Sequence, residues 1–190
     1  MGRDAIWTVP NILTIIRILL TPVFVMAYIS ENFTLAWILF LVAGLTDALD
    51  GFLARIWNQR TQLGAMLDPL ADKALLVTTF ICLAVKGWLP AWVAVLVVSR
   101  DAIIIGGLSV LNFWGVDVRS RIRPIWISKF NTVAQIFLVF FVMVSRTFGF
   151  DSPLFLFFLV WLTALTTILS GIAYVRRGFE LFAENSPEPK

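Results

Sequence analysis

Four aspartates within two strongly apolar segments constrain this chain more than any other feature. Asp47 and Asp50 are three residues apart in one segment, and Asp68 and Asp72 are four residues apart in the next. On α-helices each pair falls on one face, because residues i, i+3 and i+4 are neighbours on the helix surface. Each ionised aspartate costs roughly 2.5–3.5 kcal/mol at the centre of a membrane helix. Four inward-facing carboxylates would also repel one another, so the pattern predicts a bound cation.

The predicted cation site contains only oxygen ligands, because the sequence has no histidine. Carboxylates on rigid helices suit Mg²⁺ or Mn²⁺, and four negative charges balance two divalent ions. Paired divalent ions stabilise the attacking and leaving oxygens in phosphoryl transfer. We therefore predict a two-metal site of Mg²⁺ or Mn²⁺. The alternative is that the aspartates are helix caps or interfacial ion-pair partners, and Asp68 before Pro69 has the form of an N-cap.

The composition predicts an integral membrane protein with a single domain. Hydrophobic residues make up 59% of the 190 residues and charged residues 14%, and the mean hydropathy is +0.89. Such values are outside the range of soluble globular domains. The single cysteine excludes an internal disulfide. We expect membrane lipid as a partner and no nucleic acid.

Six apolar segments predict an all-α fold with six transmembrane helices. The domain covers 1–180, with a short interfacial lead at 1–10, a polar loop at 58–67 and a disordered tail at 181–190. The predicted spans are 11–29, 35–57, 69–85, 91–113, 127–145 and 154–175. An even number of spans puts both termini on one side of the membrane.

The distribution of basic residues predicts which side that is. The side with the termini and the aspartates carries Arg3, Arg55, Arg60, Arg119, Arg121, Arg123, Arg176 and Arg177. The opposite turns carry only Lys86 and Arg146. By the positive-inside rule, the termini and the aspartate site face the cytoplasm. We expect a multi-pass protein, in the inner membrane of a bacterium.

Small and basic residues extend the aspartate pattern to D-x2-D-G-x2-A-R-x8-G-x3-D-x3-D. This motif resembles the signature of the CDP-alcohol phosphotransferases, membrane enzymes that transfer a phosphate-linked group from a CDP-linked donor to an alcohol. The resemblance covers about residues 8–140. It implies the six-helix fold of that family, the two-metal chemistry, CDP-diacylglycerol as donor, and a homodimer.

Residues on the first three helices are implied to bind the donor. Asn11, Thr14 and Arg17 form a polar stripe that matches the family's P-N-x-x-T-x-x-R, although such residues could instead satisfy neighbouring backbone or snorkel to the interface. Gly51 and Ala54 would leave room for the cytidine, or simply permit close helix packing. The complete donor set is Asn11, Thr14, Arg17, Gly51, Ala54, Arg55 and Gly64.

Basic residues in the second half of the chain predict an anionic acceptor. Arg100 lies in the middle of an apolar span, so its charge must be paired or line a polar cavity. By resemblance to the family, Arg100, Arg123 and Lys129 form a pocket for the acceptor's phosphate. The alternative, that the basic loop is only a topology signal, applies best to Arg119 and Arg121.

Two motifs indicate which alcohol is used. The sequences S-R-D at 99–101 and I-S-K-F-N-T at 127–132 resemble cardiolipin synthases that release CMP. Enzymes that use glycerol-3-phosphate usually carry a lysine where this chain has Asn131 and often an arginine where it has Leu108. A dianionic phosphomonoester requires more cations than a phosphodiester. We favour phosphatidylglycerol as acceptor, giving cardiolipin; the alternative is glycerol-3-phosphate, giving phosphatidylglycerophosphate.

The resemblance implies that an acceptor hydroxyl attacks the phosphatidyl phosphorus and CMP leaves. Asp72 is the candidate general base, because no histidine is available, or it is only a metal ligand. A divalent-cation transporter is the remote alternative. It predicts polar residues along a path to the far side of the membrane, whereas here they cluster at one end of the spans.

Overall fold

The computed structural model describes the backbone of residues 9–56, 62–113 and 126–185, and the side chains of residues 12–46, 73–107 and 126–180. Within these ranges the chain is helical apart from short turns, which confirms the all-α class. The described residues form six helices. They are α1 Val9–Ile29, α2 Phe33–Ile56, α3 Gln62–Val85, α4 Ala91–Phe113, α5 Trp126–Phe148 and α6 Pro153–Asn185.

Three stretches among the described residues are long and apolar enough to cross a membrane. They are Ile12–Ile29 in α1, Trp126–Phe148 in α5 and Pro153–Glu180 in α6. An 18-residue helix is about 27 Å long, close to the ~30 Å hydrocarbon core of a bilayer. Shorter apolar stretches, Phe33–Thr46 and Lys73–Val85, lie in α2 and α3. These helices support a membrane protein, whereas the number of spans and the side of the termini stay predictions.

The start of α3 differs from the sequence-based expectation. The helix begins at Gln62, so the loop predicted over 58–67 is wrong from that residue onwards. Asp68 therefore lies inside the helix, and its interpretation as an N-cap is wrong, because an N-cap residue has non-helical backbone. Hydropathy missed the first turns because their polar residues give no apolar signal.

The end of α6 also differs. The helix continues to Asn185, so residues 181–185 of the predicted disordered tail are helical, and residues 186–190 lie outside the described range. At 33 residues, α6 is about 50 Å long and exceeds the hydrocarbon thickness. Its polar end is supported by ion pairs from Arg176 and Arg177 to Glu180, at 3.1 and 3.2 Å.

The first of two compact units comprises α1, α2, α3 and the segment Val142–Asp151. Within it, α1 packs against both α2 and α3. An aromatic cluster forms where α1 ends: the Tyr28 ring centroid lies 5.6 Å from those of Phe33 and Trp88, which are 4.5 Å apart. Each such ring pair contributes about 0.5–1.5 kcal/mol beyond simple area burial.

The turns beside this cluster share one geometry. Both α1 and α3 end in a Schellman motif, whose left-handed residue is Glu31 (φ 59°) after α1 and Gly87 (φ 71°) after α3. Lys86 Nζ lies 2.6 Å from Glu31 Oε1 and links the two turns. This hydrogen bond, together with the positive charge of Lys86, lowers the pKa of the Glu31 carboxyl.

The second unit comprises α4, the part of α5 that ends at Phe141, and α6. Here α4 packs against α6. The two helices run in the same direction, because Trp92 contacts Trp161 (ring centroids 5.7 Å apart) and, further along both helices, Arg100 contacts Ser170. Arg100 is thereby fixed against the middle of α6.

Candidate active site

The four aspartates lie within two helices of the first unit. Asp47 and Asp50 are in the second half of α2, and Asp68 and Asp72 are in the first half of α3. The helical backbone at these positions gives each pair the one-turn spacing that the sequence predicted. Their side chains lie outside the described range. An oxygen-only donor set of two one-turn carboxylate pairs, on helices that both pack against α1, fits a pair of hard divalent ions.

The predicted donor residues lie on the same three helices, and the structure describes the side chains of two of them. Thr14 is fully buried and Arg17 is 1% exposed, although residues around them on α1 face outwards. Burial excludes the interpretation that Arg17 snorkels along a lipid-facing surface. Both side chains engage a neighbouring group. The side chains of Asn11, Gly51, Ala54, Arg55 and Gly64 lie outside the described range.

Arg100 of α4 is the best-defined charge of the predicted acceptor set. It is 6% exposed and its Nη1 donates to Asp101 Oδ1 at 2.7 Å. Its Nη2 donates to Ser128 of α5 at 2.8 Å and to Ser170 of α6. Arg100 Nε has no acceptor among the described residues. The guanidinium thus joins three helices, and one of its buried N–H groups has no acceptor among the described residues.

The described contacts say less about the positions of the two other predicted acceptor residues. Lys129 follows Ser128 in α5, but its ammonium group is exposed and lies 5.1 Å from the centroid of the Trp126 ring. Arg123 lies outside the described residues. Of the three predicted residues, the structure therefore gives a buried, polar setting to Arg100, with Ser128 rather than Lys129 as its α5 partner.

A polar seam between α5 and α6 was missed by the sequence analysis. Asn131 is fully buried, and its Oδ1 accepts hydrogen bonds from Thr166 Oγ1 at 2.9 Å and Thr167 Oγ1 at 2.8 Å. We define the α5–α6 polar seam as Ser128, Asn131 and Gln135 of α5 with Thr163, Thr166, Thr167 and Ser170 of α6. Its signal was visible: the four α6 hydroxyls recur at the i, i+3, i+4, i+7 spacing of one helix face.

The seam contains polar atoms without a partner. Gln135 is fully buried one turn beyond Asn131. Neither its Oε1 nor its Nε2 has a hydrogen-bond partner among the described residues, and Asn131 Nδ2 also has none. Buried amides without a partner cost about 1–3 kcal/mol each in proteins. The seam is therefore polar but uncharged, and it has the neutral amide of Asn131 at the position where a lysine would carry a positive charge.

The comparisons with known proteins agree on one protein family. Residues 7–169 match the family model described as CDP-alcohol phosphatidyltransferase. The CMP-forming cardiolipin synthase of Homo sapiens is 36% identical over 186 residues, which is 90% of this chain and 62% of the human protein. A probable phosphatidylglycerophosphate synthase of Mycobacterium tuberculosis is 34% identical over 184 residues, 93% of this chain and 84% of that protein.

A third relative carries the name of an enzyme that uses glycerol-3-phosphate. The CDP-diacylglycerol–glycerol-3-phosphate 3-phosphatidyltransferase of Haemophilus influenzae is 39% identical over 137 residues, covering 68% of this chain and 71% of that protein. The chain spans less than two thirds of the human cardiolipin synthase that it matches. The relatives therefore include both of the acceptor classes that the sequence motifs left open.

Proposed function

Because this chain belongs to the CDP-alcohol phosphatidyltransferase family, we propose that it transfers a phosphatidyl group from CDP-diacylglycerol to a glycerol-type alcohol and releases CMP. One observation carries the proposal: the eight-position aspartate motif, with both aspartate pairs at one-turn spacing inside α2 and α3. The apolar helices support a multi-pass membrane enzyme. We further propose six spans with the termini and the aspartates on the cytoplasmic, arginine-rich side, and a homodimer as the family resemblance implies.

In this proposal Asp47, Asp50, Asp68 and Asp72 would hold two divalent ions, Mg²⁺ or Mn²⁺. When bound, such ions neutralise diphosphate charge and stabilise the oxygen that leaves with CMP. Thr14 and Arg17 bind the donor diphosphate, for which a guanidinium is well shaped. On the same helices as the aspartates, Gly51 and Ala54 leave room for the cytidine, Arg55 balances phosphate charge, and Gly64 permits close approach of the backbone.

The acceptor hydroxyl attacks the phosphatidyl phosphorus, and the bond between that phosphorus and the CMP oxygen breaks. The hydroxyl proton passes to the carboxylate of Asp72, the candidate general base. The phosphate already present in the acceptor is bound by Arg100, with Arg123 and Lys129 contributing charge.

We propose phosphatidylglycerol as the acceptor, with cardiolipin as product. The support is the charge of the described residues: Asp101 already compensates Arg100 at 2.7 Å, and the seam presents the neutral amide of Asn131. Such a setting suits a singly charged phosphodiester better than a dianionic phosphomonoester. Glycerol-3-phosphate is the second candidate, because the M. tuberculosis and H. influenzae relatives carry names of enzymes that make phosphatidylglycerophosphate.

The test is an assay of purified protein in liposomes with CDP-diacylglycerol and Mg²⁺ or Mn²⁺. Phosphatidylglycerol and glycerol-3-phosphate are supplied separately, and CMP and lipid products are measured. We expect cardiolipin from phosphatidylglycerol, and loss of activity on chelation. If the protein makes phosphatidylglycerophosphate from glycerol-3-phosphate and makes no cardiolipin, phosphatidylglycerol is not the acceptor. No CMP with either, combined with metal uptake into the liposomes, would favour the transporter.

Asp72→Asn tests the base in the same assay. We expect activity to fall about 10²- to 10⁴-fold, the usual contribution of a general base. Asp151→Asn, an exposed turn residue, is the matched control and should retain wild-type activity. Recovery of Asp72→Asn at high Mn²⁺ concentration would show that Asp72 acts only as a metal ligand.

A further inference from the structure

A groove of about 430 Å³ lies between α4 and α6 of the second unit. Its walls are aliphatic and include Ile103 of α4 and Ile168, Ile172 and Val175 of α6. The volume is within the 300–1,000 Å³ range of small-molecule sites and exceeds the space of a single water. From Ile168 to Arg176 the groove follows α6 for about 12 Å, at 1.5 Å per residue. This shape suits an extended aliphatic chain.

Two arginines also line the groove. One is Arg100, whose buried Nε lacks an acceptor among the described residues. Gly171 of α6 lies beside this side chain, and a Cβ at that position would be in ordinary van der Waals contact with Arg100 Cγ, at 3.6 Å. Arg176 lines the groove further along α6, and with Arg177 it exceeds the charge of Glu180. Aliphatic walls with a net positive charge at the Arg176 end complement an anionic amphiphile.

We propose that this groove binds one acyl chain of the acceptor, an anionic diacyl phospholipid, whose phosphate is bound by Arg100. The proposal rests on the function proposed above and extends it, because a soluble acceptor such as glycerol-3-phosphate has no chain to fill the groove. The acceptor rather than the donor is its occupant, since the donor residues belong to α1, α2 and α3 and the groove is built from α4 and α6. The groove thereby selects a lipid as the attacking alcohol.

A matched pair of α6 variants tests the groove. Ile172 lines it and is 60% exposed, whereas Leu165 is 56% exposed and is not one of the groove residues. With Ile172→Trp we expect the KM for phosphatidylglycerol to rise about tenfold or more, as when a pocket loses space for a chain. The KM for CDP-diacylglycerol should not change. Leu165→Trp should leave both values at the wild-type level.

Two results would overturn the proposal. One is an unchanged KM for phosphatidylglycerol in Ile172→Trp, and the other is a rise in the KM for CDP-diacylglycerol instead. A soluble acceptor sharpens the test: glycerophosphoglycerol has the same phosphodiester without acyl chains, so Ile172→Trp should use it as well as the wild type does. A variant that loses both acceptors equally would mean a general defect and would count against the groove.

A binding measurement separates failure of this proposal from failure of the proposed function. Phosphatidylglycerol with a photoactivatable diazirine in one acyl chain is cross-linked to the wild-type protein, and labelled peptides are mapped by mass spectrometry. We expect labels near Ile103 and Ile172, displaced by unlabelled phosphatidylglycerol but not by phosphatidylcholine. If these residues are labelled with that competition but the protein makes no cardiolipin, only the proposed function is overturned. If the protein makes cardiolipin but these residues are not labelled, only the proposed role of the groove is overturned.

Discussion

In the first unit, the ion pairs that the structure describes lie at surface turns, whereas in the second unit one lies in the interior. Lys86–Glu31 and Arg146–Asp151 are both solvent-accessible, with N–O distances of 2.6 and 3.6 Å. The Arg100–Asp101 pair is 6% and 4% exposed. Arg100 of this pair also donates to the hydroxyls of Ser128, which is partly buried, and Ser170, which is fully buried.

The contrast has an energetic basis. Exposed ion pairs contribute little, typically about 0–1 kcal/mol, because water and salt screen them. Burial of a charged pair costs several kcal/mol in desolvation and is offset only by good geometry and further hydrogen bonds. Turn pairs in the first unit therefore adjust local stability. The interior polar groups of the second unit are costly, and ligand recognition, as proposed for Arg100, is a reason for a protein to retain them.

The largest expected effect comes from breaking the interior pair. Asp101→Asn leaves the Arg100 guanidinium buried without its counter-charge, which should destabilise the protein by about 3–5 kcal/mol. Asp151→Asn, the same substitution in the exposed pair, should cost less than about 1 kcal/mol. Both are measured by unfolding titrations in mixed detergent micelles. Equal losses in the two variants would remove the distinction between the buried pair and the exposed pair.

A smaller effect on stability is expected to distinguish Asn131 from Gln135, the two amide residues of the α5–α6 polar seam. Asn131→Leu removes the acceptor of Thr166 and Thr167, and should cost about 1–2 kcal/mol. Gln135→Leu removes two buried polar atoms that have no partner among the described residues, and should be neutral or stabilising by about 1–2 kcal/mol. Unfolding titrations of the two variants should shift in opposite directions. A large loss for Gln135→Leu would show that its amide is satisfied by bound water.

The smallest effect is expected at the turns of the first unit, with a defined pH dependence. The folded-state pKa of Glu31 is lowered, first by the hydrogen bond from Lys86 and then by its charge. The resulting stabilisation is fully present above the ordinary glutamate pKa of about 4.3 and is lost as pH falls through the lowered folded value. Glu31→Gln should therefore melt slightly below wild type at neutral pH.

The thermal midpoints of wild type and Glu31→Gln should converge in acid. They are compared in detergent from about pH 7 down through the ordinary glutamate pKa of about 4.3 and below it. A difference that widens on acidification would contradict the sign of the pKa shift. Because the pair is exposed, added salt should also reduce the difference.

The sequence predicted a helix well where the prediction depends only on residues that are close together in the chain. α4 begins at Ala91 as expected, because Pro90 ends the preceding turn and an apolar run follows. The predicted start of α3 and the predicted end of α6 were wrong, because helical turns made of polar residues do not raise the hydropathy of the sequence. The aspartate spacing needed only the helical period, and α2 and α3 reproduce it in their backbones.

The sequence by itself determined the class of the protein, the motif that identifies its family and the residue types available for its chemistry. Only the tertiary structure decided which helix faces which. Periodicity indicates that Thr163, Thr166, Thr167 and Ser170 share a face. It does not indicate that this face contacts Asn131 and Arg100, through hydrogen bonds between residues 35 or more positions apart. Such contacts form because packing of whole helices brings distant segments together, and no local period encodes the partner.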